Sequence, residues 1–356
     1  MIGLVFKVTL PFSPLVSGKI KVAVLGVGAL GQHHARIYSE LQKAGKIEFV
    51  GLYDANIDRA SEIAKEHNTQ VLATLDAVVS AADALSIVTP TITHFDLATQ
   101  ALEAGIHVLV EKPMTEESSQ ASKLVQLAQD RNCVLQVGHV ERFNPVFDYL
   151  QSVATEPRFI ETHRLSPYPE RSLDVGVVLD LMIHDLDIVM AFVNSPIKDV
   201  DGVGVPVLSE SEDIANARIK FENGCVANLT VSRVSPERMR KIRVFSGGES
   251  TSYVSLDYQK QEGYIYRIAA EDAEKSSLWQ KLLHAKDSAI VSEFAGKKVV
   301  REPVPIEKDE PLKLELQHFI QCVDEKQTPK VSGQAGREAL EVALEITRQI
   351  QQLKTS

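Results

Sequence analysis

The sequence predicts an α/β protein: a doubly wound parallel sheet in its first half, then an α+β domain on a mostly antiparallel, open sheet. Two observations carry that expectation. Between Lys19 and Val140, short apolar runs alternate with amphipathic helical stretches, the pattern of a parallel sheet covered by helices on both faces. After residue 150, strand-like runs follow one another with little helix between them, as hairpin-linked antiparallel strands do. The change of pattern divides the chain into a first domain over 19–145 and a second over 146–356.

Met1 to Gly18 form an apolar stretch broken by Pro11 and Pro14, with Lys7 its only charge. It lacks the basic start, unbroken apolar run and cleavage site of a signal peptide, so it reads as an N-terminal extension outside the fold. The first sheet is expected to use Lys21–Leu25, Phe49–Tyr53, Ala84–Val88, His107–Val110 and Val134–Val137. Helices are expected at His33–Leu41, Asp58–His67, His94–Glu103 and Glu116–Asp130. Strands of the second half are expected at Arg158–Leu165, Val200–Val207, Asp213–Phe221, Cys225–Val234, Lys241–Phe245, Thr251–Tyr258 and Gly263–Ile268. Asn223-Gly224 is a favoured two-residue hairpin turn between two of them. Ala215, Ala217, Ile219 and Phe221 alternate with Asn216, Arg218 and Lys220, which predicts one buried face. Leu312–Val323 and Arg337–Leu353 read as closing helices. The stretch Ser276–Lys286 fits no element.

Composition bounds the function. A chain of 356 residues suits two domains. A net charge of −10 disfavours nucleic acid, a polyanion that would be repelled. No apolar run approaches the ~20 residues that span a bilayer, so no membrane span is expected. Cys133, Cys225 and Cys322 lack paired spacing, which suggests neither a disulfide framework nor a zinc knuckle and fits a reducing cytoplasm.

Gly26, Gly28 and Gly31, with Ala29 and Leu30 between the last two, follow directly on the first apolar run. In the Rossmann arrangement the first glycine makes the tight turn and the second lets a pyrophosphate approach the backbone. The third lets the helix pack on the strand. The helix N-terminus then faces the phosphates. Asp54 ends the second run, where a carboxylate accepts from both adenine-ribose hydroxyls and repels a 2′-phosphate. Arg59 is a helical turn further on and not obviously placed to offset that repulsion. The expected cofactor is NAD. Asp54 could also cap the helix around Asp58–His67.

The stretch Val175–Phe192 is nearly all apolar, so as a helix it is buried on most sides. Asp180, His184 and Asp187 interrupt it on one face. Three readings are open: a structural Asp–His pair, a metal site without further ligands at motif spacing, or a general base, His184, oriented by Asp180. Lys112, at a strand exit before Pro113, tilts the choice toward the base, because an ammonium held there can reach a substrate hydroxyl. Thr89-Pro90, Glu111-Lys112-Pro113 and Gly138-His139 each leave a strand and should border one crevice.

These residues resemble the Gfo/Idh/MocA family of NAD(P)-dependent sugar and polyol dehydrogenases. The likeness rests on the glycines, Thr89-Pro90 with His94, Glu111-Lys112-Pro113, and Asp180 with His184, and runs from Lys19 to the C-terminus. It implies a catalytic group of Lys112, Asp180 and His184. It also implies a cofactor site lined by Thr89, Pro90 and Glu111, to which His94 of the same motif is added, and a homodimer or homotetramer formed through the second sheet; no metal is expected, since no further ligands stand at motif spacing. Within the family, residues 138–145 and 180–185 are similar to the branch that oxidises the 3-hydroxyl of UDP-N-acetylglucosamine. That branch makes 3-keto sugars for 3-amino sugars of lipid A or surface polysaccharide. An acidic protein that binds an anionic sugar nucleotide needs local cations. Arg142, Asn144, Arg164, Arg171 and Arg233 are the expected substrate contacts, within a set that also holds Arg238, Arg240, Lys241 and Arg243. Inositol or free-sugar oxidation, an NAD-dependent glycosidase and a ligand-sensing protein are the alternatives.

Overall fold

The computed structural model describes residues 18–168, 175–247, 251–268, 289–294 and 297–355. The extension over 1–17, Arg171 and the stretch Ser276–Lys286 lie outside the described residues. In the first half, β1 (Lys21–Leu25), β2 (Glu48–Tyr53), β3 (Ala84–Ile87), β4 (His107–Glu111) and β5 (Leu135–Gly138) form a sheet in the order β2-β1-β3-β4-β5. Its pairings are all parallel. Helices α1 (Gly31–Lys43), α2 (Ile57–Glu66), α3 (Leu75–Ala81), α4 (His94–Glu103) and α5 (Ser118–Asp130) connect the strands. With both faces covered, β3 and β5 are buried at every residue, which is why they read as unbroken apolar runs. The order reverses between β1 and β3, so a crevice opens beyond their carboxyl ends. Helix α3 was not expected: one short segment shows no helical period, and Thr74 caps it by accepting from the Ala77 N–H at 3.1 Å.

The second sheet comprises β6 (Pro157–Leu165), β7 (Ile197–Val205), β8 (Ile214–Phe221), β9 (Val226–Ser232), β10 (Met239–Ser246), β11 (Ser252–Asp257), β12 (Glu262–Ile268), β13 (Ala289–Phe294) and β14 (Lys297–Pro303). Their order is β13-β14-β12-β11-β10-β6-β9-β8-β7. The β6–β9 pair is parallel and the other pairs are antiparallel. Strand β8 buries Ala215, Ala217, Ile219 and Phe221 and exposes Asn216, Arg218 and Lys220. Gly224, at φ +84°, makes the turn to β9, a left-handed conformation that favours glycine. The inner face is covered by α6 (Pro145–Val153), α7 (Ile183–Val193) and α9 (Gly333–Thr355).

One apolar core is common to both sheets, joining Val108, Val110 and Val137 to Ile160, Leu229, Ile242, Leu186 and Val189. A second fills the other face of the parallel sheet, where Val22, Val24 and Leu109 meet Tyr38, Phe49, Leu316 and Phe319. The last two belong to α8 (Pro311–Glu325). A single partition at 145/146 therefore needs revision: α8 comes from the far end of the chain and covers the first sheet. Gly336 of α9 also abuts β5, since a Cβ there would lie 2.4 Å from the Val137 side chain.

A polar knot ties the second sheet to the segment that precedes α7. Arg233 is fully buried, and it donates to Asp213 Oδ1 and to the Val175 carbonyl, both at 2.8 Å. Asp213 also accepts from the backbone N–H groups of Val207, Leu208 and Ser209. Breaking a buried ion pair costs about 3–5 kcal/mol because it leaves a charge uncompensated. Arg233→Met should lower the free energy of urea unfolding, followed by circular dichroism, by that order; an unchanged midpoint would contradict the role.

Candidate active site

The glycine turn is built as its spacing predicts. Gly26 sits at φ +84°, and a Cβ on it would lie 2.6 Å from the Val88 carbonyl oxygen and 2.9 Å from Thr89 Cγ2. The exits of β1 and β3 thus touch at the point where the strand order reverses. A Cβ on Gly31 would lie 1.9 Å from the Gly26 carbonyl oxygen, so the start of α1 closes directly onto the turn. Gly28 differs, because a Cβ there meets nothing within 4 Å. Gly28, Ala29 and Leu30 are exposed, at the helix end whose backbone N–H groups attract phosphate. The open side of Gly28 leaves room for a pyrophosphate that a side chain would obstruct, so these residues fit NAD.

Asp54 closes the other side of this loop. Its Oδ2 accepts from the Val27 N–H at 2.7 Å and its Oδ1 from the Asn56 N–H at 2.8 Å. The cap of α2 is Asn56, which accepts from the Arg59 N–H at 3.0 Å. Asp54 is thereby free of the capping role, and its remaining lone pairs can take ribose hydroxyls. Arg59 lies closer to the loop than its spacing suggests. It donates to the Val27 carbonyl, to Gln32 and to Glu62, so its charge already has a carboxylate partner.

Thr89 and Pro90 stand at the exit of β3, with Thr93 Oγ1 donating to Thr89 Oγ1 at 2.7 Å. His94 is a correction. It is 1% exposed and its ring spans the carbonyls of Pro113 (2.9 Å) and Thr89 (2.8 Å). Burial lowers its pKa against the pull of those carbonyls. It braces the exits of β3 and β4 by bridging their carbonyls, and both ring nitrogens are occupied there. Glu111 is likewise buried, with Oε1 3.3 Å from His34 Nε2. Its carboxylate occupies the space that a Cβ on Gly138 would fill.

At the exit of β4, Lys112 Nζ donates to the Asp180 carbonyl at 2.7 Å and to Asp180 Oδ1 at 3.3 Å. Asp180 lies in a π-helical turn, Val178–Met182, that leads into α7; such turns are frequent at functional sites. The expected Asp180–His184 pairing is corrected here: the carboxylate turns to the ammonium, whose full charge makes a stronger hydrogen bond than a neutral imidazole does. His184, half-buried in the first turn of α7, stands edge-on to His139 with ring centroids 6.1 Å apart. Its Nδ1 is buried with no hydrogen-bond partner among the described residues. Burial first, then the positive charges of Lys112, Arg164 and their neighbours, hold its pKa well below 6.5. His139, fully buried beside it, is pushed down to about 3 by burial, with Lys112 and Arg142 adding to the effect. Sequence reasoning placed His139 at the crevice without giving it a partner.

The expected substrate contacts are also corrected. Arg142 donates to Asp187 Oδ1 and the Lys330 carbonyl. Asn144 caps α6 and donates to Glu141 and the Tyr258 carbonyl. Arg164 forks onto both oxygens of Asp185 at 2.9 and 3.1 Å and also meets Glu141. Together with Arg233 they are at most 9% exposed. The acidic residues they pair with come from distant segments, and sequence spacing does not reveal that. Arg171 lies outside the described residues.

A glycine-lined dinucleotide crevice, with Lys112 at the exit of a neighbouring strand of the same sheet and tied to the turn before His184, fits an NAD-dependent oxidoreductase. Residues 20–139 match the oxidoreductase family with an NAD-binding Rossmann fold, and residues 151–250 match the GFO/IDH/MocA C-terminal domain. The chain belongs to the Gfo/Idh/MocA family. It is 35% identical to the UDP-N-acetylglucosamine 3-dehydrogenase of Acidithiobacillus ferrooxidans, over 92% of this chain and 96% of that enzyme. A solved structure of that enzyme matches with a TM-score of 0.82, covering 93% of this chain and 97% of the other. A scyllo-inositol 2-dehydrogenase (NAD(+)) of Bacillus subtilis is 28% identical over 92% of this chain and 93% of its own length.

The two glycines make a contrasting pair for a test. Gly28→Val should leave the unfolding midpoint unchanged but weaken NAD binding, measured by calorimetry, at least about tenfold, since the pyrophosphate needs that space. Gly31→Val should fail to fold stably, because the added carbon meets backbone. Equal NAD affinity in Gly28→Val would refute this placement of the pyrophosphate.

Proposed function

We propose that the protein oxidises a ring hydroxyl of a nucleotide sugar, the 3-hydroxyl of UDP-N-acetylglucosamine, to the ketone. The observation that carries the reading is the clamp of Lys112 on Asp180, one helical turn before His184, at the exit of β4 in the sheet that carries the glycine turn. NAD, when bound, accepts the hydride from the carbon that bears the hydroxyl. His184 takes the hydroxyl proton, and its depressed pKa keeps the imidazole neutral at pH 7, as a base must be. Lys112 donates to the same hydroxyl and stabilises the negative charge that grows on its oxygen. Asp180 holds the ammonium in place.

The 35% identical relative supports the substrate. The 28% identical inositol enzyme supports a second reading, oxidation of a cyclitol. In the first reading the 3-keto product goes to an aminotransferase that makes 3-amino sugars for lipid A or surface polysaccharide. Among the described residues no helix is long and apolar enough to cross a membrane. We place the enzyme in the cytoplasm, as a homodimer or homotetramer joined through the open face of the second sheet.

NADH formation from UDP-N-acetylglucosamine against scyllo- and myo-inositol separates the two readings; turnover of an inositol alone would sink the first. His184→Ala should lower kcat by about 10²–10⁴ while calorimetric NAD affinity stays close to wild type. The acid limb of the kcat/KM profile should lie below pH 6.5, because protonating His184 removes the base. Lys112→Met takes away a positive neighbour and favours the protonated imidazole, so its residual activity should show that limb at higher pH. An unmoved limb would separate Lys112 from His184.

A further inference from the structure

We propose that Arg240, with Arg238 beside it, forms the subsite for the diphosphate of the substrate; this deepens the nucleotide-sugar reading and rests on it. Arg240 lies on β10 directly across from Arg164 on β6. It shares the inner face of the strand with Ile242, Val244 and Ser246, which are all buried under the covering helices. Its own side chain is 49% exposed. An exposed guanidinium on an otherwise buried face stands at the edge of the cover, where solvent reaches it.

That place adjoins the base. Glu141, in the turn Val140–Phe143 that follows β5, accepts from Arg240 at 3.4 Å and from Arg164 at 3.1 Å. Arg164 in turn holds Asp185, the residue next to His184. The positive charge of Arg240 is also among the causes of the depressed His184 pKa. Arg164 and Arg233 are buried in pairs with carboxylates, but Arg240 meets Glu141 through one nitrogen, and its other N–H donors have no partner among the described residues. A planar fork of donors matches phosphate oxygens in pairs. Arg238 is exposed two positions earlier, and its charge acts on Arg240. Two guanidiniums in succession suit a linkage of two phosphates. The diphosphate leaves the sugar at the anomeric carbon, two atoms around the ring from the hydroxyl to be oxidised, so it must lie about a sugar's width from the base.

The holoenzyme with NAD tests this by steady-state kinetics on UDP-N-acetylglucosamine, with UDP as competitive inhibitor. Arg240→Gln should raise KM and the UDP inhibition constant together by about tenfold or more, the worth of a charged hydrogen bond, and change kcat less than KM. Arg240→Lys should fall between, and Arg238→Gln should shift the same constants by a smaller factor. Glu141 keeps Arg164 and Asn144 as partners, so loss of Arg240 does not strand its charge; an unchanged KM for NAD checks that the fold survives. If wild type oxidises UDP-N-acetylglucosamine and neither glutamine variant shifts KM, the subsite assignment falls alone. If wild type oxidises only an inositol, the substrate reading falls and the subsite with it.

Discussion

The hydrogen bonds from Lys112 to Asp180 organise this molecule. The lysine ends a buried strand of the parallel sheet, and the aspartate lies in the π-helical turn that leads into a helix packed on the second sheet. One ammonium therefore links the strand exit beside the dinucleotide crevice to the helix of His184. The core common to both sheets holds the same alignment through apolar contact. Neither fixes it alone: apolar packing is non-directional, whereas a hydrogen bond to a carbonyl specifies position and angle.

Around that contact the charges are arranged to leave one imidazole uncharged. Arg164 and Arg142 hold the carboxylates of Asp185 and Asp187, one and three positions after His184. Asp187 is raised to about 7, mainly by burial, with Arg142 pulling the other way. With these carboxylates drawn to arginines and Asp180 drawn to Lys112, none of them pairs with His184 among the described residues. A histidine in that setting binds a proton poorly from solvent but can take one from a hydroxyl that a neighbouring ammonium polarises. In the proposed reaction the buried arginines act indirectly, by occupying carboxylates that could otherwise pair with His184.

Most of the fold was legible in the sequence because its periods are clean. The apolar runs of the first sheet fall within a residue or so of the strands, and β8 alternates as expected. The short helices α3 and α6 and the strands β13 and β14 escaped, being too brief or too irregular to show a period. At the site, the local geometry of Gly26, Gly28 and Gly31 could be derived, since it depends on neighbours in sequence. The partner of Asp180 could not, because a π turn alters the helical register and the competing cation lies 68 positions away. The arginines failed for a similar reason. Arg164 and Arg240 occupy paired positions on one sheet face, and only the tertiary cover decides which is buried and which is open.

The account stands on an ammonium and an imidazole meeting a bound dinucleotide at its reactive ring. A crystal structure of the protein with NAD and UDP-N-acetylglucosamine tests this directly. It should place the nicotinamide beside Lys112 Nζ and His184, with the sugar 3-hydroxyl within hydrogen-bond reach of both. A nicotinamide lodged away from these two side chains, or a sugar whose reacting carbon faces neither, would contradict it.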